Sequence, residues 1–335
     1  MKAVALRQPL PITDPEALLD VELPVPEPQG RDLLVAVRAV SVNPVDTKVR
    51  RNSSHAAGTL RVLGWDAAGV VVATGPQATL FKPGDEVWYA GELTRPGSNA
   101  EFQCVDERIV GPKPASLDFA QAAALPLTAI TAWELLFDRL GVGPDTTGTL
   151  LVVGAAGGVG SILVQLARRL TRLQVIGTAS RPETADWVRG LGAHAVVDHA
   201  QPLAQALQAA GLGPVTHVAS LTQTDQHFAQ LVEALAPQGR LALIDDPAGP
   251  LDVMALKRKS LSLHWELMFT RSLYATPDLI EQHRLLGRVA ALVDAGELRS
   301  TVGEHLGRIQ AASLKRAHAL LESGRARGKL VLEGF

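Results

Sequence analysis

Cysteine is nearly absent from this chain. Cys104 stands alone among 335 residues, so no intramolecular disulfide can form and no multi-cysteine zinc site can be assembled. Aromatic residues make up only 4%, and just two of them are tyrosines, Tyr89 and Tyr274. No basic stretch interleaved with aromatics exists to track a nucleic acid. The formal net charge is −2, which gives no electrostatic reason to expect nucleic acid or an anionic membrane as a partner. The opening MKAVALRQPLPITDPEALLD has no continuous apolar core, so no signal peptide is expected and a cytoplasmic location is the default. Residues 146–167 carry no charge, yet glycines split them into two pieces too short to span a bilayer. What is plentiful is hydrophobic residue, 47% against 20% charged, as in a soluble protein with an ample core. The length favours two domains.

The most informative stretch is 149–181. An apolar run, Thr149 to Val153, leads into Gly154-Ala155-Ala156-Gly157-Gly158-Val159-Gly160. Ile162, Leu163, Leu166, Ala167 and Leu170 then recur at helical spacing, and a second β-rich run spans Gln174 to Ala179. Strand, glycine turn, helix and strand form the first half of a dinucleotide-binding unit, although the strict glycine fingerprint begins here with Ala155. Small residues let a pyrophosphate approach, and the helix N-terminus at Val159–Ser161 offers it free N–H groups. Ala156, Gly157, Gly158 and Val159 are the phosphate-binding candidates. At the end of the second strand, where NAD-specific folds place an acid for the ribose hydroxyls, stand Ser180 and Arg181. A hydroxyl and a guanidinium suit a 2′-phosphate, so NADPH is the expected cofactor.

Residues 1–125 read as short strands with Pro/Gly punctuation: Lys2–Leu6, Leu33–Asn43, Ala67–Thr74, Asp85–Tyr89 and Glu101–Val110. The LPVPEPQG segment, 23–30, is an extended connector. Asp118 is a plausible helix cap, and Thr128–Leu140 has helical periodicity. Beyond 181, strands at 195–198, 215–221, 240–244 and 260–265 alternate with helices at 202–210 and 225–235, which implies a parallel sheet covered on both faces. Helices are expected over 276–295 and 313–323. A terminal strand in GKLVLEGF is placed to rejoin the first domain.

The segments SVNPVDTKVR (41–50), LGWDAAGVVVATG (63–75), FKPGDEVWYAG (81–91), ALPLTAITAWELL (124–136), GAAGGVG (154–160) and GRLALID (239–245) occur in an order that resembles the medium-chain dehydrogenase/reductase superfamily. The likeness covers essentially the whole chain. It is closer to the zinc-free quinone oxidoreductase branch and its "zinc-type alcohol dehydrogenase-like" proteins. It implies an α/β protein with a GroES-like β-rich catalytic domain, 1–125 and 276–335, and a Rossmann doubly wound parallel sheet, 126–275. It also implies a homodimer joined near Ser260–Trp265.

Catalytic zinc in that superfamily uses Cys, a Gly-His-Glu and a further ligand. By the resemblance these positions fall on Asn43, on Gly64-Trp65-Asp66 and in Pro126–Thr128, so no metal is expected. Without a Lewis acid, alcohol oxidation is hard to explain. Reduction of a quinone or an α,β-unsaturated carbonyl needs only hydrogen-bond donors and a proton for the resulting anion.

Asn43 is a candidate for orienting the nicotinamide or the substrate, although Asn-Pro is also a turn dipeptide. Asp46 either acts directly or holds the loop. Tyr89 is a candidate proton donor; solvent could serve equally. Trp65, Asp66 and Met268 are pocket candidates, with a core tryptophan and a bracing aspartate as the plainer roles. Thr128 would contact the nicotinamide end or cap its own backbone. His199 would border the adenine, and Leu221, Leu243 and Ile244 would line the nicotinamide pocket through backbone groups. Cys104 reads as a small hydrophobe. Loops 47–62 and 268–280 would shape the substrate pocket. A short-chain dehydrogenase is excluded, since Leu93 and Asp278 stand where its Tyr-x-x-x-Lys needs lysine. A zinc alcohol dehydrogenase and a non-catalytic NADPH-binding scaffold are the remaining rivals.

Overall fold

The computed structural model describes residues 1–53 and 58–335, so residues 54–57 of the 47–62 loop lie outside the described residues. The chain opens with β1 (Lys2–Leu6), β2 (Leu19–Glu22), β3 (Asp32–Val42), α1 (Pro44–Asn52), β4 (Arg61–Val62), β5 (Ala67–Thr74), β6 (Glu86–Tyr89), β7 (Phe102–Asp106) and β8 (Val110–Pro112). Helices α2 (Phe119–Ala123) and α3 (Pro126–Trp133) follow, continued by a π-helical stretch, Glu134–Arg139. Next come β9 (Thr149–Val153), α4 (Gly158–Leu170), β10 (Gln174–Thr178), α5 (Pro182–Gly190) and β11 (Ala195–Val197). They lead into α6 (Leu203–Ala209), β12 (Val215–Ser220), α7 (Thr224–Ala234), β13 (Leu235–Leu243) and β14 (Ser262–Trp265). The chain closes with α8 (Thr270–Leu273), α9 (Glu281–Asp294), β15 (Val302–His305), α10 (Ala311–Glu322) and β16 (Lys329–Glu333). Two compact units result: Met1–Ile130 with Phe269–Phe335, and Thr131–Met268. The segments therefore change at 130 and 269, not at 125 and 276.

In the first unit β3 is the hub. Its apolar run is buried at nearly every position. One edge pairs with β5; the other is shared, β7 taking Asp32–Ala36 and β16 taking Ala39–Val42. The C-terminal strand thus completes a sheet begun by N-terminal residues. The second unit is a six-stranded parallel sheet in the order β11-β10-β9-β12-β13-β14. Every residue of β9 is buried, as a central strand covered on both faces requires. The strand order reverses between β9 and β12, where open α/β sheets bind ligands beyond the strand C-termini.

Three expectations change. The strand over 101–110 is broken by a 3₁₀ turn, Glu107–Ile109. The buried Glu107 carboxylate accepts from the Thr79 and Leu80 N–H groups and from Arg31, and the chain bends to deliver it. The helix over 276–295 starts only at Glu281, because Thr276 and Arg271 hold the Asp278 carboxylate in a preceding turn. Asn43-Pro44 does not make a turn after β3. It opens α1, with extended Asn43 as N-cap and Pro44 in the first turn, where a missing N–H costs nothing.

Candidate functional site

In the second unit the residues flagged as cofactor-binding collect at the C-terminal edge of the parallel sheet. Gly154 turns the chain out of β9 with φ +80°, and its N–H reaches Thr178 Oγ1 at 3.3 Å. A Cβ on Gly160 would stand 2.5 Å from the Gly154 carbonyl oxygen, so only glycine lets α4 start this close to the turn. The N-cap of α4 is Gly157, which has no side chain to cap with, and no acid lies in the first turn. The Gly157 N–H itself is taken by the Gly154 carbonyl at 3.1 Å, so the amides that follow it, from Gly158 and Val159, are the ones left for an anion. Ala156, Gly157, Gly158 and Val159 are all half-exposed there.

β10 runs parallel to β9, so Ser180 and Arg181 emerge on the same edge. Ser180 is exposed. The Arg181 guanidinium is 40% exposed, with Nε 3.3 Å from Glu183 Oε1. His199 follows β11, half-buried, its ring edge-on to His227 with centroids 5.9 Å apart. Leu221 follows β12, while Leu243 ends β13 and Ile244 follows it. The Leu221 N–H is engaged by the Val153 carbonyl, and the Leu243 carbonyl by the Glu266 N–H. These two backbone groups are thus used between strands rather than turned toward a ligand. Helix amides, and on the same sheet edge a guanidinium and a hydroxyl, are groups that bind phosphate, as a dinucleotide site requires.

The first unit gathers a different set. Asn43, Asp46, Asp66 and Ser41 are each no more than 1% exposed, and Lys329 is 2% exposed. Asn43 Nδ2 donates to Asp66 Oδ2 (2.9 Å) and to the Trp65 carbonyl (3.3 Å), while Asn43 Oδ1 accepts from Lys329 Nζ. Asp66 Oδ2 also accepts from Ser41 Oγ (2.9 Å) and Lys329 Nζ (2.9 Å), and Asp66 Oδ1 accepts from the Leu127 N–H (2.8 Å). The Asn43 amide therefore braces Asp66 and the backbone. Asp46 Oδ2 accepts the Asn43 N–H at 2.8 Å, which closes the start of α1. Burial pushes the Asp46 carboxyl up to about 7; the Asn43 N–H and Lys329 pull it down, and Asp66 pushes it further up. Asp46 thus holds a proton in a range where exposed aspartates have none.

Trp65 is fully buried, its indole N–H donating to the Glu92 carbonyl at 2.9 Å; it is a core residue of this unit. Tyr89 is fully buried too, and its hydroxyl has no partner among the described residues. Burial raises its pKa well above the ordinary phenol value, so it is a neutral donor at any working pH. Thr128 is buried in the first turn of α3 and donates to the Leu125 carbonyl at 3.0 Å, so its hydroxyl serves its own backbone. Met268, which ends the second unit, is 3% exposed. Cys104 is half-buried and burial pushes its thiol up to about 11, which makes it a poor nucleophile. Lys329 is the residue that the pattern of the sequence does not reveal. Its position follows from strand register: Leu330 stands opposite Val42, which sets Lys329 beside Asn43.

Comparisons with known proteins agree with this architecture. A profile described as an alcohol dehydrogenase GroES-like domain matches residues 29–115, and one described as a zinc-binding dehydrogenase matches residues 191–332. The chain is 37% identical to a zinc-type alcohol dehydrogenase-like protein of Staphylococcus aureus (strain MRSA252), over 99% of both. A crystal structure from Rhizobium etli CFN 42, provisionally described as a zinc-dependent alcohol dehydrogenase protein, superposes with a TM-score of 0.95 at 58% identity, covering 100% of this chain and 98% of that one. A chloroplastic NADPH-dependent alkenal/one oxidoreductase of Arabidopsis thaliana is 38% identical over 191 residues, 54% of this chain and 48% of that protein. With a GroES-like β-rich part and a Rossmann-type parallel sheet, and identity running the length of its relatives, the chain belongs to the zinc-type alcohol dehydrogenase-like oxidoreductases of the medium-chain dehydrogenase/reductase superfamily.

Proposed function

We propose that the protein is an NADPH-dependent reductase of quinones or α,β-unsaturated carbonyls that works without a metal. The observation that carries the proposal is the donor set around Asn43. Zinc does not fit it. Asn43 presents an amide already bonded on both sides, Trp65 an indole that cannot coordinate, and Asp66 a carboxylate already holding an ammonium ion. Among the described residues no group of three or more His, Cys, Asp or Glu is placed to hold a metal. A chemistry that needs no Lewis acid suits such a site better than alcohol oxidation does.

NADPH supplies a hydride when bound. The turn from Ala156 to Val159, through its Gly158 and Val159 amides, would hold its pyrophosphate, and Ser180 with Arg181 its 2′-phosphate. The alkenal/one oxidoreductase relative supports both the cofactor and the substrate class. The protonated Tyr89 hydroxyl, which can donate as well as accept, supports a role in meeting the oxyanion left on the substrate, with solvent as the proton source.

The test is NADPH oxidation by the chelator-treated protein with quinones, enones and enals, against NADP⁺ reduction with alcohols. Turnover on the electron-poor acceptors alone is expected. Tight NADPH binding without turnover on any acceptor would favour a scaffold; zinc-dependent alcohol oxidation would overturn the proposal. A homodimer goes with it: β14 is an edge strand, and Trp265 at its end and Leu267 just beyond are 53% and 51% exposed.

A further inference from the structure

The C-terminal end of α4 borders a cavity of about 330 Å³, lined by Arg168, Arg169, Gly190, Leu191 and Gly192. Pockets for small ligands begin at about this size. Helix α4 has 13 residues, so at about 1.5 Å per residue the cavity lies roughly 20 Å from the glycine turn that starts the helix, on the opposite edge of the parallel sheet. The two arginines stand in the last turn of α4, and the other three residues form the turn that ends α5. Gly192 has φ +106°, and a Cβ there would stand 3.1 Å from Arg168 Cγ. The stem of Arg168 therefore packs against this turn, which holds its guanidinium at the cavity.

The fold does not use these two charges. Among the described residues, no hydrogen bond or ion pair holds the guanidinium of Arg168 or of Arg169. Arginines close by do take acids: Arg172 Nη2 lies 3.1 Å from Asp145 Oδ1, and Arg189 Nη1 lies 3.0 Å from Asp186 Oδ1. Arginines at a helix C-terminus ordinarily serve its orphan carbonyls. Here other donors reach those carbonyls. Thr171 Oγ1 donates to the Ala167 carbonyl at 2.7 Å, and the Leu191 and Gly192 N–H groups donate to the Trp187 and Arg189 carbonyls at 3.1 and 2.9 Å. The positive field extends to the neighbouring strand entry. His194, whose Nδ1 accepts the Val175 N–H at 2.9 Å, has its pKa lowered by burial and then by the Arg168 charge.

We infer that this cavity is a second anion site, which takes a phosphorylated small molecule and is separate from the glycine-turn edge. A guanidinium fork matches two oxygens of a phosphoryl group. Two forks on one cavity suit a ligand with two adjacent anionic groups, such as a diphosphate. Their two full charges outweigh the partial negative charges of the helix ends, about half a unit each.

Calorimetric titration of the full chain with inorganic pyrophosphate tests it. Saturable binding through Arg168 and Arg169 is expected, with an affinity that falls as salt is raised, because both arginines are exposed. Arg168→Gln and Arg169→Gln should each weaken binding about 10-fold, and the double variant about 100-fold, since each removes a charge-assisted bond. Both are surface changes away from the core, so the double variant should keep its thermal midpoint within about 2 °C of wild type. Two controls set aside phosphate binding at the glycine-turn edge: saturating NADPH, and Arg181→Gln. The component that depends on Arg168 and Arg169 should persist in both. Absence of saturable binding up to about 10 mM would overturn the inference. So would binding that the folded double variant retains, or binding that NADPH or Arg181→Gln abolishes.

Discussion

Replacing Asp46 by asparagine tests the buried cluster through its proton. Burial raises this carboxyl from 3.8 to about 7, with the Asn43 N–H and Lys329 opposing. In the unfolded chain it ionises at its ordinary value, so between about pH 4 and about pH 7 the folded state binds a proton that the unfolded state does not. The stabilising contribution is complete below the unfolded value and is lost as the pH rises through the folded one. At about 1.36 kcal/mol per pH unit, the width of that interval sets the limit at about 4 kcal/mol. The asparagine side chain would keep an oxygen for the Asn43 N–H while removing the titration. Its cost, a buried amide N–H₂ needing partners, is the same at all pH. Urea denaturation at about pH 5 and about pH 8 should therefore show the stability of Asp46→Asn, relative to wild type, rising by roughly 3 kcal/mol across the interval. A difference that stays constant between the two pH values would refute the placement of a proton on Asp46.

Arg181→Ala should raise the Kd for NADPH about 10–100-fold and leave NADH within a few-fold, because a charge-assisted bond to phosphate contributes about 1.5–3 kcal/mol; unchanged selectivity in a fluorescence titration would contradict the assignment. Gly160→Ala should destabilise the second unit and weaken NADPH binding together, since its Cβ would meet the Gly154 carbonyl at 2.5 Å; calorimetry with and without NADPH reads both. Trp265→Glu should leave the fold intact and convert the proposed dimer to monomer in light scattering, because a charge would then sit on the free edge of β14; an unchanged oligomer would count against edge pairing.

The second unit was legible because its signals are local. The glycine turn, the two strands and the helix between them occupy one short stretch, and each announces itself by spacing. The first unit was legible as strands but not as a site. Asn43-Pro44-Val45-Asp46 reads as a turn by its Asn-Pro pair, yet an Asp three residues after an Asn is also a helix-start signal, and it is that signal which the structure follows. Asn43 and Asp66 were recognisable as polar residues near a likeness to metal ligands. Their actual partner lies 286 residues beyond Asn43, in a strand whose register no local pattern specifies. Lys329 therefore carries no local signal of its role. Tyr89 shows the same limit: its strand was evident, but full burial of its hydroxyl depends on packing from several elements.

The most direct measurement is a single-turnover reaction of chelator-treated protein, its zinc content checked on the same sample, with NADPH deuterated at the transferable position and an enone acceptor. Mass spectrometry should find the deuterium on the β-carbon of a saturated ketone, formed by protein that holds no stoichiometric zinc. Deuterium on a carbinol carbon, or transfer that appears only when zinc is added, would contradict metal-free reduction of a conjugated carbonyl.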